Sequence, residues 1–95
     1  MGQQDRTMFA RVWRAVGMSL EECREFLGKR GYSAATVNNM SAGRTKVPVE
    51  VMAEFAYLHA VVEGFMDPPE GTPAGVIERR NTTLYLKNQE YRHGE

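Results

Sequence analysis

Two serine-capped segments separated by a glycine constrain the fold of this chain more than any other feature. Ser19 is followed three residues later by Glu22, which is the pattern of a helix-capping box. Ser33 precedes the segment AATVNNM, and Gly31 lies two residues before it, where the chain can turn. Residues 19–48 are therefore predicted to form two short helices joined by a glycine-containing turn.

Composition limits the class of protein. The 95 residues suffice for one small core, and 42% apolar with 25% charged residues is typical of soluble globular proteins. No apolar run has the length of a membrane span, and the opening MGQQDR lacks the apolar core of a secretory signal. A cytoplasmic protein with no membrane association is expected. Its single cysteine, Cys23, lies in a helical pattern and is expected to pack as a small buried residue.

The spacing of apolar residues predicts a small all-α domain of four helices, at 7–16, 20–30, 34–41 and 48–66. Trp13 belongs to the apolar stripe of the first helix and is expected in the core. Val37 and Met40 are expected to face inward in the third. His59 lies on the stripe of the fourth without other ligands at metal-binding spacing, so no metal and no other cofactor is predicted.

The C-terminal part of the chain differs in composition. Residues 67–75 hold three of the four prolines and are predicted to form a linker. The segment 82–86, TTLYL, favours a strand that could form a hairpin with residues 76–77, and a disordered terminus is the alternative. The expected organisation is a helical domain at 1–66 and, at 67–95, a linker and tail that could serve in dimerisation.

The zero net charge conceals a division along the chain. Residues 26–48 contain four cations and no Asp or Glu, whereas residues 49–70 contain five acidic residues and no Lys or Arg. One face of the molecule could therefore be basic and another acidic, although charges scattered over a solvated surface would give the same counts.

The segment LEECREFLGKRGYSAATVNNMSAGRTKVP resembles the helix-turn-helix of the lambda-repressor-like family, the Cro and xenobiotic-response-element type found in phage repressors, plasmid regulators and antitoxins. The turn at residues 29–32 is longer than the family pattern, which suggests that the second helix is extended by a turn. Arg24 and Ser41 also depart from the pattern. The matching positions are Leu27, Gly28, Ser33, Thr36, Val37, Gly43, Arg44 and Pro48.

The resemblance implies a DNA-binding transcriptional regulator, most simply a repressor, that inserts helix 34–41 into the major groove of double-stranded DNA as a homodimer. Asn39 is expected to read adenine through its amide. The dimer surface would be the fourth helix or the 82–86 segment. The implied base contacts are Ala34, Ala35, Asn38 and Asn39, all expected to be exposed. The implied phosphate contacts are Lys29, Arg30, Ser33, Thr36, Arg44 and Lys46.

Two other classes of function compete with this one. The sequence contains no nucleophile beside a base and no phosphate-binding glycine loop, so an enzyme is not expected. A protein-interaction module, such as an antitoxin or a phage-encoded inhibitor, is the main alternative. It would use the helical scaffold and the C-terminal tail to bind a protein partner, and the zero net charge and the acidic fourth helix favour it.

Overall fold

The protein is built entirely of helices in the part that the structure describes. The computed structural model describes residues 7–93, with the side chains of residues 90–93 excepted. The predicted all-α class is confirmed, because no strand occurs in this range. None of the described helices combines the length and apolar character needed to cross a lipid bilayer. The helices are α1 (Met8–Ala15), α2 (Leu20–Gly28), α3 (Ala34–Ser41), α4 (Val49–Val62) and α5 (Ala74–His93).

Hydroxyl side chains cap the first three helices, and two of these caps, Ser19 and Ser33, were predicted from the sequence. The Oγ1 of Thr7 accepts from the amide of Ala10 at 3.1 Å at the start of α1. At the start of α2, the Oγ of Ser19 accepts from the amide of Glu22 at 3.1 Å, and the Glu22 carboxylate accepts from the amide of Ser19 at 3.0 Å. This reciprocal pair is the predicted capping box, and it satisfies two amides that the helix itself leaves without acceptors.

The turn after α2 is a glycine-closed helix end, and it corrects the predicted length of α2. The helix ends at Gly28 and gains no extra turn. Gly31 has a φ of 97°, which a side chain would disfavour. The amide of Tyr32 donates to the carbonyl of Leu27 at 3.0 Å, and the amide of Gly31 donates to that of Gly28 at 3.1 Å. This Schellman arrangement takes up the longer connection without lengthening the helix.

Helix α4 is also shorter than predicted, because a glycine with a positive φ ends it. It ends at Val62, not at residue 66, because Gly64 adopts a φ of 90° and the amide of Phe65 donates back to the carbonyl of Ala60 at 2.9 Å. The apolar spacing extends the inward stripe to Phe65, but this residue lies beyond the helix and is 74% exposed. Val61, which the apolar spacing does not place on the inward stripe, is fully buried.

The C-terminal prediction is wrong. Residues 74–93 form the longest helix of the chain, so the hairpin does not occur and residues 74–75 do not belong to the loop. The alternative of a disordered last segment is contradicted as far as residue 93, and residues 94–95 lie outside the described range. The strand preference of TTLYL had no partner strand to pair with, and the Oγ1 of Thr82 instead bonds the carbonyl of Glu78 within the helix at 3.0 Å.

Phe55 of α4 lies in the main core. Its ring contacts Phe9 of α1 edge-on at a centroid distance of 5.4 Å, and Phe26 of α2 in the same way at 5.8 Å. All five helices or their ends contribute to this core. The predicted core positions Trp13, Cys23, Val37 and Met40 are buried, and Val76 of α5 joins them with no exposed surface.

The first turns of α5 dock on the turn between α1 and α2. The amide of Gly75 donates to the Glu22 carboxylate at 3.4 Å, and Arg79 Nη1 donates to the carbonyl of Ala15 at 3.3 Å. Further along, Lys87 Nζ donates to the carbonyl of Glu63 at 2.7 Å. Beyond these contacts, Tyr85 and Leu86 are 61% and 58% exposed.

Candidate nucleic-acid interface

The start of α3 is fixed by its own serine cap. The Oγ of Ser33 accepts from the amide of Thr36 at 3.1 Å and lies 2.9 Å from the Thr36 hydroxyl. The two hydroxyls are therefore engaged with each other, and that of Ser33 also accepts from the backbone of α3. The next two side chains, Ala34 and Ala35, are exposed as predicted. The first turn of α3 thus presents small methyl groups and leaves space for another molecule to approach the backbone closely.

The two asparagines of α3 each hold an arginine. Arg24 Nη1 of α2 donates to Asn38 Oδ1 at 2.9 Å, and Arg44 Nε donates to Asn39 Oδ1 at 2.9 Å. Asn38 and Asn39 were expected to be exposed, and both are half-buried instead. Their amide oxygens are engaged within the protein, so the groups presented at this surface include the two guanidinium groups.

The remaining predicted phosphate contacts fall into two classes. Lys29, Arg44 and Lys46 are exposed. Arg30 is half-buried, forms an ion pair with Glu54 at 3.0 Å, and lies 3.8 Å from the centre of the Phe26 ring. Its charge is already balanced by a carboxylate of α4, so Arg30 is less available to an external anion than the two lysines.

Three arginines meet in a cleft between α1, α2 and α3. The cleft has a volume of about 380 Å³. We call it the arginine cleft, and none of the described residues that line it is Asp or Glu: Trp13, Arg14, Leu20, Arg24, Asn38, Ser41 and Arg44. Among residues 7–89, whose side chains are described, no ion pair joins Arg24 or Arg44 to a carboxylate. These two arginines therefore give the cleft positive charge that the described side chains do not balance.

A buried hydrogen bond forms part of the cleft wall. The indole Nε1 of Trp13 donates to the Oγ of Ser41 at 3.1 Å, and Ser41 is only 4% exposed. The guanidinium carbon of Arg14 lies 5.2 Å from the centre of the Trp13 ring. Ser41, which departs from the family pattern, thus satisfies a buried donor that would otherwise have no acceptor.

Sequence reasoning missed Arg24 as a candidate site residue. The apolar spacing of α2 places it on the solvent-facing side, next to Glu21 and Glu25, where nothing distinguishes it from an ordinary surface cation. Its partner Asn38 lies 14 residues further along the chain, so the contact is not visible in local spacing. The available signal was the placement of Arg24 in a helix adjacent to a segment without acidic residues.

Cys23, next to Arg24, points into the core and takes no part in this surface. Burial raises the pKa of its thiol to about 12, and the neighbouring Arg24 charge offsets part of that rise. The side chain is therefore a neutral thiol at physiological pH, in agreement with the packing role expected from the sequence.

No protein-family model, curated protein or solved structure matches this chain.

Proposed function

We propose that the protein is a sequence-specific DNA-binding regulator, most simply a repressor of the phage, plasmid or toxin-antitoxin type, that inserts α3 into the major groove as a dimer. The observation that carries this proposal is the pair of arginines, Arg24 and Arg44, held on α3 by two asparagines and unpaired with any described acidic side chain. DNA affinity depends on cations that can contact phosphates, and these two are positioned beside the candidate reading helix.

Base reading in this proposal involves Asn39 and Arg44 together. Ala34 and Ala35 offer methyl contacts to thymine and permit close approach of α3. The Oδ1 of Asn39 accepts from Arg44 and retains a second lone pair, so the amide can still contact adenine. The outer nitrogens of Arg44 remain available for a phosphate or for the O6 and N7 atoms of guanine. Asn38 contacts no base in this proposal, and its role is to hold the guanidinium group of Arg24.

Backbone contacts in this proposal come from exposed cations and from the amides at the start of α3. Lys29 and Lys46 are exposed, and the first amides of α3 favour an anion because of the helix dipole. Arg30 contributes less because Glu54 balances it. One protomer with so few cations binds DNA weakly at physiological salt, whereas a dimer doubles the number of phosphate contacts and reads two half-sites.

The test combines selection of bound DNA from a random pool with affinity measurements at several salt concentrations. We expect an enriched palindrome. We also expect the logarithm of the DNA affinity to fall linearly as the logarithm of the salt concentration rises. Replacing Arg44 and Lys46 together with alanine should weaken binding and make the salt slope shallower by about one for each phosphate that the variant no longer neutralises. The matched control replaces Arg79 and Lys87 of α5, which removes the same charge far along the chain. Equal affinity of wild type and both variants would refute DNA binding through this surface.

A protein-interaction module remains the second candidate, because a group of apolar side chains is exposed at the end of α4 and along α5. Phe65 and Met66 are 74% and 45% exposed, and Tyr85 and Leu86 are exposed as well. Exposed large apolar side chains of this kind can mark a surface that a partner covers. The part of α5 that carries Tyr85 and Leu86 could bind a different protein, or it could be the dimer surface of the DNA-binding proposal.

Replacing Tyr85 and Leu86 together with serine separates these alternatives, since both side chains are exposed and their loss should leave the fold intact. If the surface joins two copies, sedimentation shows dissociation and DNA affinity falls. If the surface binds another protein, capture of that partner is lost while the self-association and DNA affinity of the variant match those of wild type.

A further inference from the structure

We propose that the arginine cleft is a binding site for a phosphate group, held chiefly by Arg24 and Arg44. The phosphate has two chemical sources, the backbone of DNA and a free phosphate or phosphomonoester. If the phosphate belongs to DNA, the inference rests on the proposed DNA binding. If it is a free phosphate or a phosphomonoester, the inference is independent of that proposal. Arg24 and the cleft itself lie outside the set of contacts that the family resemblance implies.

Arg24 and Arg44 differ from two other arginines of the chain, because no described carboxylate balances their charge. Arg30 and Arg80 form ion pairs with Glu54 and Asp67, respectively. Arg24 forms no such pair with any described side chain, and neither does Arg44, while the described residues that line the cleft include no carboxylate. Guanidinium groups match phosphate oxygens in geometry and can donate two parallel hydrogen bonds. Two of them at one cleft therefore favour an anion with several oxygens.

The two guanidinium groups are held in position before any ligand arrives. Asn38 and Asn39 are adjacent residues of α3, and each uses its amide oxygen to accept one arginine hydrogen bond at 2.9 Å. An arginine offers five N–H donors, so each group keeps donors for a ligand after this bond. Because part of the side-chain entropy is lost in the free protein, less is lost on binding. Asn38 and Asn39 are positioning residues in this site.

The wall of the cleft supplies a further donor. The Oγ of Ser41 accepts from Trp13, and no described hydrogen bond uses the Ser41 hydroxyl as a donor. Ser41 is among the residues that line the cleft, so a phosphate oxygen bound there is a candidate acceptor for this proton. The volume of about 380 Å³ falls within the range of small-ligand sites and leaves room for ester substituents or water.

The first arm of the test uses inorganic phosphate as the probe. In the full-length protein labelled with ¹⁵N, the Nε–Hε signals of the arginines are followed by NMR as phosphate replaces chloride at constant ionic strength. We expect saturable shifts for Arg24 and Arg44 and none for Arg79. The variant Arg24→Gln should weaken the response at Arg44 about ten- to hundredfold, which is the usual effect of losing a charged hydrogen bond. Lys87→Gln should leave it unchanged.

The second arm uses the duplex selected by wild-type protein, or a random duplex if none is enriched. Arg24→Gln should lower affinity and make the salt slope shallower by about one per protomer, whereas Arg79→Gln should not. Arg24→Lys keeps the charge but loses the planar fork, so it should recover the salt slope and only part of the affinity. Thermal melting of each variant identifies any loss of affinity that comes from unfolding. If Arg24→Gln is destabilised, Arg44→Gln replaces it in both arms, and in the first arm the response is then followed at the Arg24 signal.

The outcomes separate the phosphate site from the proposed function. A response in either arm that depends on Arg24 and Arg44 and spares Arg79 supports the site and identifies its source of phosphate. The site is overturned if Arg24→Gln binds DNA as tightly as wild type and if phosphate shifts the Arg24 and Arg44 signals no more than that of Arg79. This result leaves the proposed DNA binding standing. Saturable phosphate binding by a protein that binds no DNA supports the site and overturns the proposed function.

Discussion

A single methyl group at residue 75 tests whether α5 docks where the structure places it. Gly75 lies in the first turn of α5 against the turn between α1 and α2. A Cβ atom there would lie 2.6 Å from the carbonyl oxygen of Gly17 and 3.1 Å from a carboxylate oxygen of Glu22. The first contact involves backbone and cannot be relieved by rotating a side chain. Gly75→Ala therefore forces α5 away from the turn.

The size of the effect follows from two opposing terms. Alanine favours a helix over glycine by about 0.5–1 kcal/mol. Inserting a methyl group where there is no space costs about 1–3 kcal/mol. The free energy of unfolding should therefore fall by up to about 2.5 kcal/mol in Gly75→Ala, or about 1 kcal/mol from the middle of both ranges, and each kcal/mol lowers the melting temperature of a domain of this size by about 4–8 °C.

Gly28 provides the matched control. It is also helical, its φ is not positive, and a Cβ atom at this position meets no atom within 4 Å. Gly28→Ala should leave stability unchanged or raise it by up to about 1 kcal/mol. Urea denaturation followed by far-UV circular dichroism measures both variants, and hydrogen exchange should show faster exchange of α5 amides in Gly75→Ala only. If both alanine variants are equally stabilised, the docking of α5 described above is wrong.

Three further predictions concern the core. Phe55→Ala should reduce the free energy of unfolding by about 3–5 kcal/mol in urea denaturation, and a loss below about 1 kcal/mol would contradict the central position of this ring. Ser41→Ala leaves the buried Trp13 indole without its acceptor and should cost about 1–3 kcal/mol, visible as a lower melting temperature; an unchanged melt would argue against the buried bond. Because burial raises the pKa of Cys23 from 9.0 to about 12, the folded state keeps the proton that the unfolded state loses. The resulting stabilisation is full below pH 9 and is lost as the pH rises towards 12. Thiol labelling at about pH 8, below the ordinary thiol pKa, should accordingly follow global unfolding, and rapid labelling of folded protein would disprove this.

The starts of the first three helices could be predicted from the sequence, to within one residue, because capping is local. Thr7, Ser19 and Ser33 each bond an amide three residues ahead, so the pattern is complete within one turn of chain. The end of α4 was missed because Gly64 lies inside an apolar stripe that continues to Phe65. Helix α5 was missed because β-branched and aromatic residues favour a strand only when another strand pairs with them, and here the first turns are held by tertiary contacts at Val76 and Gly75.

The candidate site was predictable in its location and not in its contacts. Residues 26–48 contain no Asp or Glu, and this feature together with the helix-turn-helix resemblance led to α3 as the candidate surface. Which polar groups this surface presents depends on contacts such as Arg24 with Asn38, which join two helices. An asparagine on a helix looks the same in sequence whether its amide is exposed or holds an arginine from a neighbouring helix.

The docked base of α5 has a consequence for the geometry of a dimer. A helix of 20 residues is about 30 Å long, and the direction of α5 is set near its start by the contact of Gly75 with the α1–α2 turn. If two copies associate through the exposed side chains near Leu86, the distance between their α3 helices is determined by how far along α5 those side chains lie. Adding four residues between residues 79 and 85 would displace the partner by about 6 Å along the helix and rotate it by about 40°. The preferred separation of two half-sites on DNA would then be encoded in the length of α5, outside the surface that contacts the bases.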